Sequence, residues 1–316
     1  MYSIVDAFHQ GALVASRSDL ATLQVVGPDR ARWLQGIVTN DLSNLDADCG
    51  IYTLLLDKKG KILADATVVV EGEALLLAVP SSVAPTIHAH LDRYLVMEDA
   101  EVRADDQPAR WIQIVGPAAD RGLAAARDAD VPLVGSMVSF AGVGGALLRV
   151  PEHSVSRVVE ACTRLPATVA VDVDTLDSIR PVVGWPGFPA DFDQDCYPQE
   201  VGLDDRAISF NKGCYLGQEI VVKMRSRGHP ARTLLRLVAA CSQGCDVWPA
   251  GEPVVSSAGE PIGATTAAVR FGSEIVAFAL VKWSAAKIGA EVVVRGVAAR
   301  TAPAWGKLPG LDPHRI

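Results

Sequence analysis

Ala207-Ile208-Ser209-Phe210-Asn211-Lys212-Gly213-Cys214-Tyr215-Leu216-Gly217-Gln218-Glu219-Ile220-Val221-Val222-Lys223-Met224-Arg225 is the most information-dense stretch of this 316-residue sequence. Ile208 and Phe210 suit the end of a strand, and Asn211-Lys212-Gly213 suits a sharp turn. Tyr215 to Arg225 suits a helix with Ile220, Val221 and Met224 along one side. That reading sets Cys214 at a helix N-terminus beside Lys212, where unpaired N–H groups and an ammonium both favour thiolate, the reactive form of cysteine. A lone cysteine between Gly213 and Tyr215 suits inert packing equally well, because Cys is among the most buried residue types. Gln218 and Glu219 carry groups able to bind a ligand's amide or amino functions, or simply to cap and solvate the helix.

The flanks are oppositely charged. Upstream, Gly187 to Arg206 holds Asp191, Asp193, Asp195, Glu200, Asp204 and Asp205 against Arg206 alone. Asp191-x-Asp193-x-Asp195 invites a calcium loop, but the sixth position is Cys196 instead of Gly and the twelfth is Gly202 instead of Glu, so a solvated loop is expected. Downstream, Lys223, Arg225, Arg227, Arg232 and Arg236 follow one another with no acid between them. They read either as a site for a specific anion, such as a carboxylate tail or phosphate, or as partners of the acidic loop across a domain junction.

Further out, Leu23-Gln24-Val25-Val26-Gly27-Pro28 and Ile112-Gln113-Ile114-Val115-Gly116-Pro117 resemble each other at an offset of 89 residues. Each predicts a strand, a Gly turn and a helix opened by Pro at its first position. Either two related α+β subdomains or a common idiom arising twice explains this. Ile51 to Leu56 and Lys61 to Val70 predict a hairpin through Asp57-Lys58-Lys59-Gly60, followed by a strand over 74–79 and a helix capped by Ser81 that runs toward Tyr94. Gly142-Val143-Gly144-Gly145 lacks the third glycine of a dinucleotide fingerprint and reads as a hairpin turn. Past about Thr233, short β-rich runs near 234–239, 253–256, 263–269, 275–281 and 291–295 predict a small barrel or sandwich. The fold class is therefore α+β. One boundary is expected near Gly228-His229-Pro230, separating residues 1–229 (two subdomains, about 1–105 and 106–229) from a β domain over 230–316.

The net charge of −8 argues against a nucleic-acid coat, no apolar run is long enough for a membrane span, and the start has no signal-peptide pattern. A cytoplasmic location is expected. Cys241 and Cys245 form a C-x3-C without zinc-like partners, so free thiols are expected and no metal site. The six histidines, from His9 to His314, have no ligand spacing, and no Ser-centred elbow or P-loop occurs.

Lys212-Gly213-Cys214-Tyr215-x-Gly217-Gln218-Glu219 resembles the K-G-C-[FY]-x-G-Q-E signature of the YgfZ-type folate-binding proteins. Trp33-Leu34-Gln35-Gly36, Thr39-Asn40-Asp41, the 56–62 hairpin turn, Arg180-x3-Gly184, Pro198-x-Glu200 and Arg227-Gly228 also resemble blocks of that family. The resemblance implies a T-protein arrangement of the glycine-cleavage aminomethyltransferase superfamily, with a two-part α+β region around a folate cleft and a C-terminal β-barrel closing it. It implies a tetrahydrofolate-binding accessory protein for iron-sulfur cluster assembly or repair. The ligand would be tetrahydrofolate or a derivative, polyglutamylated forms included, and the protein partners would be assembly factors or client iron-sulfur enzymes. Cys214 would be the exposed thiol assisted by Lys212. Gly213, Tyr215, Gln218 and Glu219 would shape the site, and Arg225 or Arg227 would meet the glutamate tail.

Two departures bear on chemistry. T-proteins carry an Asp pair in the hairpin strand where this sequence has Ala64-Asp65, and a Glu two residues after an Arg where it has Arg180-Pro181-Val182. Losing a carboxylate on pterin N–H groups costs roughly 1.5–3 kcal/mol or more unless replaced. Two rivals therefore stand beside the accessory reading: a one-carbon transferase acting through Asp65, and a protein-binding adaptor with a vestigial folate site.

Overall fold

The computed structural model describes residues 4–241 and 246–308. Cys245, His314 and the side chain of Arg227 lie outside the described residues. The chain forms two compact units, Met1–Val173 with Asp205–Gln218, and Asp174–Asp204 with Glu219–Ile316. Where the sequence reading draws one boundary near residue 229, the chain crosses between units three times.

The first unit holds two five-stranded sheets. One runs β3 (Ile51–Leu56), β4 (Ile62–Glu71), β5 (Ala74–Pro80), β2 (Leu20–Val26), β6 (Glu101–Ala104). The other runs β10 (Thr168–Val171), β1 (Ala12–Arg17), β7 (Ala109–Val115), β9 (Val143–Pro151), β8 (Val134–Phe140). Helices α1 (Ile4–Gln10), α2 (Arg30–Gln35), α3 (Ala84–Asp92), α4 (Ala119–Arg127) and α5 (Val155–Thr163) complete it.

The two similar stretches occupy equivalent places. β2 precedes α2 and pairs with β5, the second strand of the β4–β5 hairpin; β7 precedes α4 and pairs with β9, the second strand of β8–β9. Each sheet then follows a strand-helix-hairpin-helix-strand order, with β1 inserted between β7 and β10 in one and β3 added at the edge of the other. The turn glycines are required in both copies. Gly27 and Gly116 have φ of 101° and 124°, and a Cβ there would stand 2.4 Å from Asp99 O and 2.6 Å from Gly11 O respectively. The helices begin later than Pro28 and Pro117: Asp29 and Ala118 are the cap residues. Ser81 likewise does not cap α3, whose cap is Val83 with Pro85 in the first turn and whose end is Asp92.

Burial follows from pattern. β5 (ALLLAVP) is buried along its whole length, as a continuous apolar run in a central strand must be. α4 turns Ala119, Gly122, Leu123 and Ala126 inward, a helical stripe that meets Ile112, Ile114 and Leu148. Gly50 closes the spacing between the sheets, since a Cβ there would lie 2.9 Å from Val138 and 3.0 Å from Val69.

The second unit carries α6 (Val173–Ser178) and α8 (Gln218–Arg227), which both start at its boundary, and α7 (Arg180–Val183). Its core is a closed barrel in the order β11 (Arg232–Ala240), β14 (Glu274–Lys282), β13 (Pro261–Phe271), β12 (Pro253–Ser256), β15 (Glu291–Val294), β16 (Val297–Pro303). Closure decides between barrel and sandwich. The sixth strand was not predicted, because Val297-Ala-Ala-Arg-Thr-Ala-Pro has few bulky residues; its register with β11 and β15 places it. Leu235, Leu237, Ile275, Ala277 and Val292 fill the barrel. Cys241 is disulfide-bonded, which corrects the expectation of a free thiol there; Cys49, Cys162, Cys196 and Cys214 are free.

Candidate functional site

Residues 205–218 return to the first unit and run beside 36–41. Ser209 N–H donates to Thr39 O at 3.1 Å, and Leu216 N–H donates to Gly36 O at 3.1 Å. Thr39 is fully buried and joins three segments: its hydroxyl donates to Ala207 O at 2.7 Å, accepts Leu54 N–H at 3.0 Å and lies 3.2 Å from the Thr53 hydroxyl. Asn40 extends the junction, donating its side-chain amide to Tyr52 O (2.8 Å) while its N–H meets Thr53 Oγ1 (2.9 Å). Buried hydroxyls in apolar surroundings hold only when paired, so this network fixes the segment that carries the signature.

Lys212 is held by that frame. Its Nζ donates to Val38 O and Asn40 O, both at 2.7 Å, and lies 5.5 Å from the centroid of the Tyr215 ring. Desolvation lowers its pKa to about 8 against the opposing pull of Asp41. Its ammonium is therefore committed to backbone carbonyls, which makes Lys212 an anchor for the turn. Tyr215 is buried, its hydroxyl has no hydrogen-bond partner among the described residues, and burial pushes its pKa up to about 12.

Cys214 stands between these anchored residues and is exposed. It does not lie at a helix N-terminus: α8 begins at Gln218, after an irregular stretch that also replaces the strand expected at Ile208 and Phe210. Gly217 is the cause. Its φ is 81°, and its backbone crosses the β3–β4 turn so closely that a Cβ would stand 2.6 Å from Asp57 O. Gly213 is exposed, with open space where a Cβ would be. Gln218 is half-buried, whereas Glu219 and Arg225 are exposed on α8 and belong to the second unit.

Asp65 lies on β4 opposite Leu54, next to the fully buried Ala64. The Tyr52 hydroxyl donates to its carboxylate at 2.9 Å, and burial first and Asp65 second push the Tyr52 phenol well above its usual range. A hydroxyl donor and a single carboxylate thus stand where the sequence comparison looked for two acids.

The flanking charges divide differently from expectation. Asp193 and Asp195 are exposed, but Asp191 is buried: it accepts Gly187 N–H at 2.9 Å and Thr266 Oγ1 at 3.3 Å, and lies 3.5 Å from Arg180. Burial raises its pKa against the opposing pull of Arg180. Glu200, also buried, takes two 3.0 Å hydrogen bonds from Arg232. Arg236 has no exposed surface; it donates to Pro303 O and Gly306 O at 2.6 Å and reaches Pro181 O and Val182 O at 3.4 Å. Arg232 and Arg236 are therefore structural, which leaves Lys223 and Arg225 exposed on α8.

The structure brings Lys212, Tyr215 and the turn of Cys214 together with 36–41 and the β3–β4 hairpin. Sequence reasoning missed Thr39 as the junction and Tyr52 as the partner of Asp65. The available signal was the placement of Thr39 and Thr53 inside apolar runs, where a hydroxyl requires a partner.

The GCVT N-terminal domain family matches residues 5–158. The tRNA-modifying protein YgfZ of Pectobacterium carotovorum subsp. carotovorum is 30% identical over 239 residues, covering 72% of this chain and 71% of that protein. The mitochondrial iron-sulfur cluster assembly factor IBA57 homolog of Pyricularia oryzae is 26% identical over 234 residues, 68% of this chain and 54% of the relative. In fold, the chain is similar to the crystal structure of glycine cleavage system aminomethyltransferase T from Bartonella henselae, with a TM-score of 0.77 and 20% identity over 98% of this chain and 88% of that one. With the signature on its anchored turn, the α+β sheets and the closed barrel, this chain belongs to the YgfZ-type branch of the aminomethyltransferase superfamily.

Proposed function

We propose that the protein is a tetrahydrofolate-binding accessory factor for iron-sulfur cluster assembly or repair, with Cys214 as its working thiol. The observation that carries the reading is the exposed Cys214 on a turn pinned on both sides, by Lys212 on two carbonyls and by the buried Tyr215. A flexible exposed cysteine would serve no defined partner, whereas a fixed one presents its sulfur in one direction at low entropic cost. Likeness to a relative named as an iron-sulfur cluster assembly factor supplies the process. A single cysteine falls short of the four ligands of a cluster, so contact with one would be shared with a partner.

The residues present fit folate in part. The Tyr215 hydroxyl is an orphaned buried polar atom, which a ligand heteroatom would satisfy. No carboxylate follows Arg180, where Pro181 and Val182 are buried instead. Gly213, Tyr215 and Gln218 would line the ligand, with Glu219, Arg225 and Arg227 as candidates for its polar tail. The test is complementation: cells lacking the protein should recover iron-sulfur enzyme activity with the wild-type chain and not with Cys214→Ser. Full recovery with Cys214→Ser would refute the thiol's role.

A second reading is favoured by the Tyr52–Asp65 pair. The Tyr52 hydroxyl orients the Asp65 carboxylate, and a one-carbon transferase acting through Asp65 predicts turnover of methylenetetrahydrofolate with an amine or thiol acceptor, abolished in Asp65→Asn.

A further inference from the structure

Two cavities open on the first unit, of about 360 and 400 Å³, and no residue of 36–41 or 205–218 lines either. Glu71, Leu133 and Val134 line both, so the cavities are two ends of one groove across the start of β8. One end is walled by Pro108, Pro132 and Pro151, the other by Asp48 and Arg127.

Asp48 and Glu71 line this groove with Arg127 and Arg149, and the buried Asp105 stands behind Arg149 as a third acid. Arg149 lies in the proline-walled end with its side chain 8% exposed; it pairs with the equally buried Asp105 and reaches Glu71 at 3.3 Å. Two carboxylates therefore share one guanidinium, and Glu71, with its side chain 35% exposed, is the member that solvent reaches. At the other end Arg127 is already taken by Asp48 at 2.7 Å and by Gly135 O at 3.0 Å. Both guanidiniums have terminal nitrogens on carboxylates, Arg149 keeping its buried Nε without a partner among the described residues, while Glu71, whose contact with Arg149 is long, stands at the centre. The carboxylate that solvent reaches, Glu71, is placed to hold a cation.

We propose that this groove binds a guanidinium or ammonium carried on a short alkyl stem, with the cationic head on Glu71 and the stem along Leu133, Val134 and the proline wall. Apolar surface beside a carboxylate is the complement of an amphipathic basic side chain, whose methylenes bury while its head stays paired. Such a group comes either from a free alkylguanidine or from an arginine of a peptide. The site is independent of the folate reading, since it shares no residue with the signature turn.

Calorimetry on the full chain with agmatine, with acetyl-Ala-Arg-Ala-amide and with the same tripeptide carrying citrulline tests it. Saturable binding of an arginine-type probe, weaker by at least about tenfold in Glu71→Gln and lost in Val134→Trp, is expected, the tenfold being the loss of one charge-assisted hydrogen bond. Tighter binding of agmatine identifies a free cation as the ligand, and tighter binding of the arginine peptide identifies a protein segment. Asp105 keeps Arg149 paired in Glu71→Gln, and an unchanged circular dichroism melt confirms that its fold is intact. Absence of saturable binding by either cation, equal binding of the citrulline peptide, or unchanged affinity in Glu71→Gln overturns the proposal.

Discussion

Replacing Thr39 by valine removes one oxygen and keeps the shape, so its effect isolates the junction between 36–41, β3 and 205–218. The hydroxyl is fully buried and makes a 2.7 Å bond to Ala207 O and a 3.0 Å bond from Leu54 N–H. Both partners are left in a dry environment by the substitution, and each buried polar group without a partner costs about 1–3 kcal/mol. The added methyl offsets part of this, which leaves a destabilisation of about 2–4 kcal/mol. At roughly 2–4 °C per kcal/mol for a chain or unit of this size, the melting transition should fall by roughly 5–15 °C. Thr39→Ser keeps the hydroxyl and should lose only about 1 kcal/mol for the missing methyl. Circular dichroism melts give the global number, and hydrogen exchange of peptides spanning 36–41 and 205–218 gives the local one, with faster exchange in Thr39→Val alone. A Thr39→Val melt within about 1 °C of wild type, or exchange in 205–218 unchanged, would refute the claim that this hydroxyl fixes the signature segment.

Two further outcomes follow from the same geometry. Alkylation of the native protein with iodoacetamide should modify Cys214 first, whereas Cys162, fully buried with its thiol pushed up to about 11, should react only after denaturation. Mass spectrometry showing Cys162 modified as fast as Cys214 would contradict this. For Lys212, the folded pKa of about 8 lies below the ordinary 10.5, so between these values the unfolded chain binds more protons and stability rises with pH. Denaturant melts of wild type minus Lys212→Met should show this rise from about pH 8 upward, and identical pH slopes for both proteins would rule out the desolvated lysine.

Much of the fold was legible because local chemistry and tertiary placement agree. The 51–70 hairpin follows from two apolar runs around Asp57-Lys58-Lys59-Gly60, and the side chain of Asp57 accepts the Lys59 and Lys61 N–H groups as such turns do. The two Gly-Pro stretches announced equivalent strand-turn-helix units because both glycines sit in a left-handed conformation against a backbone carbonyl. The barrel was legible from strand spacing, except for β16, whose small residues give no periodic signal.

The local structure of the signature was read incorrectly. Glycine at 217 tolerates a helix in a propensity argument, but the near approach to Asp57 O fixes a left-handed turn there and delays α8 to Gln218. Lys212 next to Cys214 in sequence suggested an ammonium serving the thiol; its Nζ points instead to carbonyls more than 170 residues earlier. Likewise, nothing within the acidic loop says that Asp191 is enclosed and Asp193 is not, because Thr266 and Arg180, which decide it, come from other elements. Pairings at this sequence separation are the part of a structure that patterning cannot specify.

Folate binding can be measured by anaerobic calorimetry of the reduced protein with tetrahydrofolate and its polyglutamate form, with an Arg225→Glu/Arg227→Glu variant titrated alongside. Micromolar or tighter binding is expected, strengthened by the glutamate tail and weakened by charge reversal. No detectable heat with either form would contradict folate binding and shift the role of the protein to that of an adaptor.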